Sequence, residues 1–105
     1  MKQWDTVNWA FPHGLHPAVI LSRNAVCDLG RNINLLACSS HRATRLPHDN
    51  EILLDEADGM DWQTLCKLDT IWLAQVSELR PRGSLSVERR RHLARQLIKL
   101  YGLLI

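Results

Sequence analysis

A short apolar run, Ala18-Val19-Ile20-Leu21, lies between Pro17 and the polar string Ser22-Arg23-Asn24. Four apolar residues bounded by structure breakers are too few for a helix, and they predict a buried β-strand over residues 18 to 22. A polar group stands at each end of this strand, with His16 before it and Ser22 after it. Small β-domains often hold their functional groups at strand ends, so these two ends are candidate site positions.

Alternating and apolar segments predict four more strands. In the first, Val7, Trp9 and Phe11 recur at a spacing of two, which leaves Thr6, Asn8 and Ala10 on an exposed face. The predicted strands are 5 to 11, 18 to 22, 33 to 38, 51 to 55 and 64 to 73. Breaker-rich segments between them predict loops at 12 to 17 and 41 to 50, a connection at 24 to 32 and a turn at 58 to 60.

The C-terminal segment changes to a helical period. Ser86 is a suitable N-cap, and Glu88 lies in the first turn. We therefore predict one helix from about Val87 to Tyr101, with its basic residues turned outward. The apolar positions that recur at helical spacing are Leu93, Leu97, Leu100, Tyr101 and Leu104. Four to six short strands and one terminal helix predict an α+β domain built on a small curved antiparallel sheet or barrel.

The length and composition of the chain limit its class. A chain of 105 residues is long enough for a single domain, residues 1 to 105, with one core. So small a domain leaves much apolar surface exposed, which makes a partner subunit plausible. No apolar run approaches the roughly 18 residues of a membrane span, and the first residues lack the apolar core of a signal peptide. We therefore expect a cytoplasmic protein without membrane contact.

The cysteines and histidines do not form a recognisable metal or disulfide pattern. Cys27, Cys38 and Cys66 are far apart and odd in number, which argues against a disulfide framework and a zinc ribbon and favours reduced, mostly buried thiols. His13 and His16 lie among prolines and Gly14, off any helix face, with no acidic third ligand beside them. We expect neither a metal nor a cofactor.

Charge is distributed unevenly, although the formal net charge is only +2. Residues 49 to 61 contain six acids and no Lys or Arg, whereas residues 80 to 99 contain seven basic residues and one acid. This asymmetry is consistent with one side that faces a polyanion and another that repels it. For the basic run Arg89-Arg90-Arg91 taken alone, a solvated helix face is the favoured explanation.

Lys67 and Asp69 form a second candidate site. Residues two apart on a strand project from one face, so both side chains point together while Leu68 faces the core. A carboxylate beside an ammonium can accept a proton next to a charge that stabilises a developing phosphorane. The same pattern also describes an ordinary exposed ion pair.

Six short segments follow one another along the chain: Trp4-Asp5-Thr6-Val7, His16 to Ser22, Ser39-Ser40, Asp58-Gly59-Met60, Lys67-Leu68-Asp69 and Gly83-Ser84-Leu85-Ser86. Their order resembles that of the MazF/PemK family of toxin ribonucleases. Members open with a Gly-Asp-hydrophobic-Val string and continue to Arg-Pro-Ala-Val-Val-Leu-Ser. They then carry a Thr-Ser strand end, an Asp-Gly-Leu turn and an Arg-Cys-Asp or Lys-Cys-Asp strand before a C-terminal helix.

The resemblance implies a barrel-like α+β fold of the SH3-like, MazF/CcdB type, a homodimer, and metal-independent, sequence-selective cleavage of single-stranded RNA that a cognate antitoxin restrains. It implies that Asp69 is the general base for the ribose 2′-hydroxyl and that Lys67 supports the phosphate. It also implies that Ser39 and Ser40 hold the phosphate or a base. His16 replaces the family's arginine; it can protonate the leaving oxygen but cannot clamp a phosphate bidentately.

Two departures from the family pattern affect the expected RNA contacts. Trp4 replaces the opening glycine, and the segment after Asp69 lacks the family's Gln-x-Arg. RNA contacts are therefore expected from other side chains, or the activity is weakened. For Trp72, base stacking competes with core or dimer packing, and His13 is equally an ordinary loop histidine. The further RNA-binding candidates are His13, Arg23, Arg42, Arg45, Thr70 and Trp72.

Two other functional classes remain open. A gyrase-binding toxin such as CcdB shares the implied fold and ends in an aromatic-Gly-aliphatic string, as this chain does at Tyr101-Gly102-Leu103. The pairs Lys67 with Asp69 and His16 with Ser40 favour the nuclease, because a protein that only binds has no need of them. A noncatalytic nucleic-acid-binding module that uses the basic residues 80 to 99 predicts steep salt dependence without cleavage.

Overall fold

The computed structural model describes residues 1–39 and 44–103, and within them one antiparallel sheet supports a C-terminal helix. The strands are β1 (Asp5–Phe11), β2 (Gly14–Ile20), β3 (Asn32–Cys38), β4 (Glu51–Leu54), β5 (Thr64–Gln75) and β6 (Arg80–Ser84). The helices are α1 (Asn24–Asp28) and α2 (Val87–Tyr101), with 3-10 turns at Glu56–Asp58 and Val76–Glu78. The strand order is β4-β5-β3-β2-β1-β6, and the sheet curls into a half-barrel. The predicted α+β class and curved sheet are confirmed.

Strands β1 and β2 form a tight hairpin that the sequence did not predict in full. They pair from Thr6 with Val19 to Phe11 with Gly14, so only Pro12 and His13 form the turn. Gly14 has φ +133°, which a residue with a side chain rarely adopts. The loop predicted at 12 to 17 is therefore wrong beyond His13, because cross-strand pairing extends β2 through the breakers. Strand β2 ends at Ile20 rather than at the predicted Ser22.

Both faces of the sheet are covered. The first face carries Trp9 and Leu35 and packs against Cys27 of α1. The second face carries Leu36 and packs against Leu93 of α2. Two layers explain why the apolar run in β2 is continuous, since successive residues enter opposite cores.

Thr6 corrects the sequence prediction for β1. Its side chain was expected on an exposed face, but it is fully buried and its hydroxyl donates a hydrogen bond of 2.9 Å to the carbonyl of Asp58. The turn around Asp58 covers this face of β1, and alternation within one strand cannot reveal that cover. Gly59, with φ +84°, lies so close that an added Cβ would stand 2.7 Å from the Thr6 hydroxyl.

The pairing between β3 and β5 is irregular. Leu36 pairs with Ile71 and Cys38 pairs with Cys66, so two steps along β3 correspond to five along β5. Because of the extra residues, the even-numbered side chains of β5 change from one face of the sheet to the other. Leu68 belongs to the second-face core, whereas Trp72 packs against the first-face core. A bulge of this kind bends a strand and re-aims its side chains.

Asp58 joins the turn before β5 to the start of α2. Its Oδ2 accepts hydrogen bonds from the backbone N–H of Asp55 at 3.0 Å and from Arg89 Nε at 3.1 Å. Its Oδ1 accepts one from the N–H of Ser86 at 3.4 Å. Ser86 is the N-cap of α2, as predicted, and its Oγ accepts a hydrogen bond from the N–H of Arg89.

Some of the remaining predictions of strands and helices are confirmed, and others are wrong. The bounds of β1 and α2 are confirmed, and the fourth and fifth predicted strands lie at β4 and β5. The connection at 24 to 32 instead contains helix α1, and β6 was not predicted. Arg89 does not turn outward as expected, since its guanidinium binds Asp58 and Asp55. Among the described residues, no helix is both long and apolar enough to span a membrane.

Replacing Asp58 with Ala should lower the free energy of unfolding by about 3 kcal/mol, because it leaves the buried ends of three hydrogen bonds, from Arg89 Nε and two backbone N–H groups, without their acceptor. Urea denaturation measures the change. Asp28→Ala is the matched control, since Asp28 is exposed, and it should alter stability by no more than about 0.5 kcal/mol. Equal stability of the two variants would contradict the role assigned to Asp58.

Candidate functional site

A cleft of about 320 Å³ opens on the first face of the sheet, where β3 ends. We call it the histidine cleft, and its described lining consists of His13, His16, Ala37, Cys38, Ser39, Lys67, Thr70 and Trp72. Six of these eight residues were candidates from the sequence. The cleft therefore brings together side chains from the β1–β2 hairpin, the end of β3 and the middle of β5.

The hairpin supplies the two histidines. His16 lies in β2 opposite Trp9, and His13 lies in the turn. Their ring centroids are 4.6 Å apart with the ring planes tilted by 38°. Gly14 lies between them in sequence, and an added Cβ there would stand 3.6 Å from His16 Nε2. The tight turn thus places two imidazoles, side chains that can donate or accept protons, side by side at the cleft.

Trp72 forms an aromatic wall of the cleft. Its ring contacts Phe11 edge to face at a centroid distance of 5.2 Å and also lies 5.9 Å from the His13 ring. Trp72 is half-buried and packs against the first-face core. The Trp72 ring therefore packs against the core and also lines the cleft. The two alternatives from the sequence, packing and base stacking, do not exclude each other.

The bulge in β5 places Lys67 and Thr70 on the cleft side. Lys67 and Asp69 are exposed while Leu68 is fully buried, as the alternation predicted. Thr70 comes to the cleft because the strand changes facing after Asp69. Ser39 follows the last residue of β3, and its N–H donates a 2.8 Å hydrogen bond to the carbonyl of Leu65, which holds it beside β5.

Asp69 has a different environment from Lys67. Its Oδ2 accepts a 3.0 Å hydrogen bond from Nδ2 of the half-buried Asn50, just before β4, and the Asp69 side chain is exposed. Asp69 is not part of the cleft lining that the structure describes. The proposed base thus lies at the rim, one residue from Thr70, rather than among the groups that face one another across the cleft.

The arginine candidates are dispersed. Arg23 precedes α1 and is exposed. Arg45 forms two 2.8 Å hydrogen bonds with the carboxylate of Glu51. Ser40 and Arg42 lie outside the described residues. None of the arginines that the structure describes belongs to the lining of the histidine cleft.

Arg82 was not singled out from the sequence, although it belongs to the basic segment 80 to 99. It lies in a second cleft of about 210 Å³, which shares Ser39 with the histidine cleft. Its guanidinium donates to the carbonyl of Gly59 and to Asn8 Oδ1, each at 3.0 Å, and forms an ion pair with Asp61. These three partners come from distant segments, so spacing along the sequence could not reveal them.

Chemically, the histidine cleft can exchange protons and stabilise negative charge. Imidazole serves as a proton donor or acceptor, and the Lys67 ammonium can stabilise an anionic oxygen. The hydroxyls of Ser39 and Thr70 supply hydrogen-bond donors. Within residues 1–39 and 44–103, no group of three or more His, Cys, Asp or Glu side chains is arranged to hold a metal ion.

Solved structures provide the relevant comparison. No protein-family model matches the sequence, and no curated protein matches it. The Mycobacterium tuberculosis toxin MazF-mt6 aligns with a TM-score of 0.79 and 20% identity, over 95% of this chain and 99% of that one. A mycobacterial endoribonuclease in complex with its cognate antitoxin aligns with a TM-score of 0.85 and 16% identity, over 100% and 98%. A chain of the MazE-MazF (Form-II) crystal structure from Deinococcus radiodurans aligns with a TM-score of 0.76 and 18% identity, over 99% of this chain and 97% of that one.

The chain has the fold of the MazF toxins. The likeness extends over nearly the whole of both chains, so the six strands and α2 belong to one shared architecture. At these identities the comparison establishes the fold, and the family resemblance of the short segments agrees with it. In this MazF-type fold, the predicted residues His13, His16, Ser39, Lys67, Thr70 and Trp72 line a common cleft.

Glu51 anchors the loop that precedes β4 in this MazF-type fold. Its side chain is buried, and its carboxylate also accepts a 2.9 Å hydrogen bond from the N–H of His48. The hydrogen bonds from Arg45 are the main reason that the pKa of Glu51 is lowered to about 2. Glu51 pairs with Lys67 across β4 and β5, so this anchor supports the strand beside the cleft.

Glu51→Gln should be less stable than the wild type by about 1 to 2 kcal/mol at pH 7, a value reduced for the solvent screening of the half-exposed Arg45. A lowered folded-state pKa stabilises the fold above the unfolded value of about 4.5, and this stabilisation disappears as the pH falls towards 2. The difference in the free energy of unfolding between the wild type and Glu51→Gln should therefore become smaller from pH 4.5 to pH 2, as measured by urea titrations. Glu56→Gln, at an exposed position, should show no such narrowing.

Proposed function

We propose that the protein is the toxin of a type II toxin-antitoxin system and that it cleaves single-stranded RNA in the histidine cleft. The observation that carries this proposal is the clustering of His13, His16, Ser39 and Lys67 in a MazF-type fold. Proteins of that fold include an endoribonuclease bound to its cognate antitoxin. The cleft holds proton-exchanging groups beside a fixed cation, which a protein that only binds a partner does not require.

The proposed reaction is an attack by the ribose 2′-hydroxyl on the adjacent phosphorus. Asp69 accepts the 2′-hydroxyl proton, and the new P–O bond forms as the bond to the 5′-oxygen breaks. His16 donates a proton to that leaving oxygen, which yields a 2′,3′-cyclic phosphate and a 5′-hydroxyl. Lys67 stabilises the phosphorane charge, and Ser39 donates a hydrogen bond to a phosphate oxygen. No step uses a metal ion or a cofactor.

The position of Asp69 is compatible with this role. Its carboxylate is exposed, and one exposed hydrogen bond from Asn50 holds it at the rim. Breaking such a bond costs only about 1 kcal/mol, so the carboxylate can turn towards a bound 2′-hydroxyl. His13 stands on the other side of the cleft and is the alternative proton acceptor.

Base contacts are proposed for the aromatic wall. Trp72 presents part of its ring to the cleft, where a nucleobase can stack, and stacking is worth about 1 to 3 kcal/mol per base. Thr70 adjoins it and can donate a hydrogen bond to a base edge. Arg23, Arg42, Arg45 and Ser40 remain predictions as further RNA contacts, since the described part of the cleft does not include them.

Purified protein should cleave a long single-stranded RNA in the presence of EDTA and leave cyclic phosphate or 3′-phosphate ends. Lys67→Ala should slow cleavage by about 10²-fold, because it removes the cation that stabilises the transition state. Lys2→Ala removes an equal charge at an exposed position outside the cleft and should cleave normally. Both kinds of end resist ligation at the 3′ side. Phosphatase alone removes this resistance for a 3′-phosphate, whereas a cyclic phosphate must first be opened by acid hydrolysis. RNA that stays intact at high protein concentration would refute the nuclease, and salt-sensitive binding without cleavage would favour the noncatalytic module.

Two further variants assign the proton transfers within the same assay. Asp69→Asn preserves shape but removes the acceptor, so cleavage should be abolished while folding is retained. His16→Ala should cost about 10²-fold or more and remove the alkaline fall of the rate profile, which reports a protonated imidazole. Near-normal cleavage by Asp69→Asn together with loss of cleavage by His13→Ala would transfer the base role to His13.

The proposed assembly is a homodimer that a cognate antitoxin neutralises in the cytoplasm, where its RNA substrate occurs. Ile71 and Leu73 support the dimer, because both are exposed on the same side of β5. Exposed neighbouring aliphatic groups on a sheet favour a covering subunit. The proposed unit is one domain, residues 1 to 105, per subunit.

Leu73→Glu should convert the dimer to monomers, because it places a charge within the proposed interface. Light scattering at micromolar concentration measures the mass. Leu46→Glu is the matched control: Leu46 is 86% exposed in the loop before β4, and its replacement should leave the dimer intact. A wild-type protein of monomeric mass at these concentrations would contradict the proposed homodimer.

A further inference from the structure

Cys38 and Cys66 lie directly opposite each other at the end of β3. They are Cα partners in the β3–β5 ladder, just beyond the bulge. The neighbouring pair is hydrogen-bonded, since the N–H of Ser39 donates to the carbonyl of Leu65. Hydrogen-bonded and non-hydrogen-bonded pairs alternate in antiparallel ladders, so Cys38 and Cys66 occupy a non-hydrogen-bonded site. Cα atoms at such sites are about 4.5 Å apart, within the range of about 4.4 to 6.8 Å that disulfides span.

The two thiols also lie on the same side of the sheet. Cys38 and Cys66 form one cross-strand pair, and both side chains belong to the second-face core. They are almost completely buried, at 3% and 0% exposure. Cys27 belongs to the first-face core, on the other side of the sheet. The third cysteine therefore provides an internal comparison for the pair.

We propose that a hydroperoxide oxidises Cys38 and Cys66 to a disulfide that links the strands carrying Ser39 and Lys67. In the first step the Cys38 sulfur displaces water from hydrogen peroxide and becomes a sulfenic acid. In the second step the Cys66 sulfur attacks the Cys38 sulfur, the S–S bond forms, and a second water leaves with the Cys66 proton. The two sulfurs together lose two electrons, and the peroxide gains them. A dithiol reductant reverses the reaction.

The surroundings determine how the reaction proceeds. Cys38 is a lining residue of the histidine cleft, but its side chain belongs to the second-face core and is almost completely buried, so a small oxidant reaches the thiol slowly. Its hydrogen bond with Cys66 and its burial hold the pKa of the Cys38 thiol well above its usual range. Thiols rather than thiolates therefore predominate, and oxidation should be slow compared with that of an exposed cysteine. The disulfide is accordingly a response to sustained oxidant exposure.

The bond would act on the cleft through the neighbouring residues. Ser39 follows Cys38 and Lys67 follows Cys66, and both line the cleft. A disulfide brings the two Cβ atoms to about 3.8 Å and fixes the spacing of the strands at this point. The separation of Ser39 and Lys67 then changes from that of the reduced protein and is held there.

Peptide mapping after peroxide treatment tests the bond directly. Trypsin should separate the cysteines into peptides 24 to 31, 32 to 42 and 46 to 67. In the Cys27→Ser protein, peroxide should link peptides 32 to 42 and 46 to 67 with the loss of two hydrogen atoms, and dithiothreitol should separate them. The oxidised protein should also melt at least about 5 °C higher, because the bond restrains the unfolded chain.

Control variants distinguish the Cys38–Cys66 disulfide from oxidation of other cysteines or to other products. Cys38→Ser and Cys66→Ser should each give no linked peptide and no rise in melting temperature with peroxide. The mapping is also done on the wild type, so the test stands even where a serine variant fails to fold. Peptides linked through Cys27, or Cys38 and Cys66 recovered only as thiols or sulfinic acids, would overturn the proposal.

RNA cleavage by the same samples tests the effect on the cleft, and this part rests on the proposed nuclease function. Oxidised Cys27→Ser protein should cleave about tenfold more slowly than the reduced form, because small displacements of positioned groups are costly, and dithiothreitol should restore the rate. Equal rates would overturn the link to the cleft. If reduced protein leaves RNA intact, the nuclease proposal fails, while the peptide map still decides the disulfide.

Discussion

The irregular pairing of β3 with β5 is the constraint on which the histidine cleft depends. Regular pairing would keep alternate residues of β5 on one face throughout, so Lys67 and Trp72 would point to opposite sides of the sheet. The additional residues around Asp69 and Thr70 change the facing midway. Lys67, Thr70 and Trp72 consequently share one cleft with the histidines of the hairpin. The same irregularity leaves Cys38 and Cys66 facing each other below the cleft.

A second constraint holds the sheet in its curled form. One sheet with an apolar core on each face requires a cover on both, and α2 provides it on the second face through Leu93. The buried carboxylate of Asp58 binds the start of α2, while its backbone carbonyl accepts from Thr6 in β1. Charge-assisted hydrogen bonds of this kind have defined geometry, so they determine where the helix begins as well as adding stability.

The histidine cleft has an imidazole, and no described arginine, for the chemistry proposed for it. His16 stands where the resembling family has an arginine, and an imidazole is a better proton donor near neutral pH than a guanidinium. It is a weaker phosphate clamp, and none of the described lining residues of the cleft is an arginine. Lys67 and the hydroxyl groups of Ser39 and Thr70 are therefore the groups available to hold the phosphate. In the proposed reaction, Lys67 therefore has a larger share in phosphate binding than a cation beside an arginine would have.

Local patterns in the sequence determined the elements. The alternation of apolar residues predicted β1, the apolar run predicted the centre of β2, and the helical period with Ser86 predicted α2. These predictions succeeded because each pattern depends on residues that are adjacent in the chain. The facing of Lys67, Leu68 and Asp69 followed from the same alternation. Six of the candidate residues line the histidine cleft, although nothing in their spacing along the sequence showed that they meet.

Only the tertiary structure decided which strands pair and in what register. The β3–β5 bulge, the extension of β2 to Gly14 and the burial of Thr6 under Asp58 all depend on segments far apart in the chain. Arg45 is similarly engaged by Glu51, a partner that a basic residue in a loop does not reveal. Periodicity in the sequence shows which side of a strand or helix is apolar. Which strands pair, and in what register, depends on contacts between residues far apart in the chain. The cleft exists because those contacts interrupt the local pattern in β5.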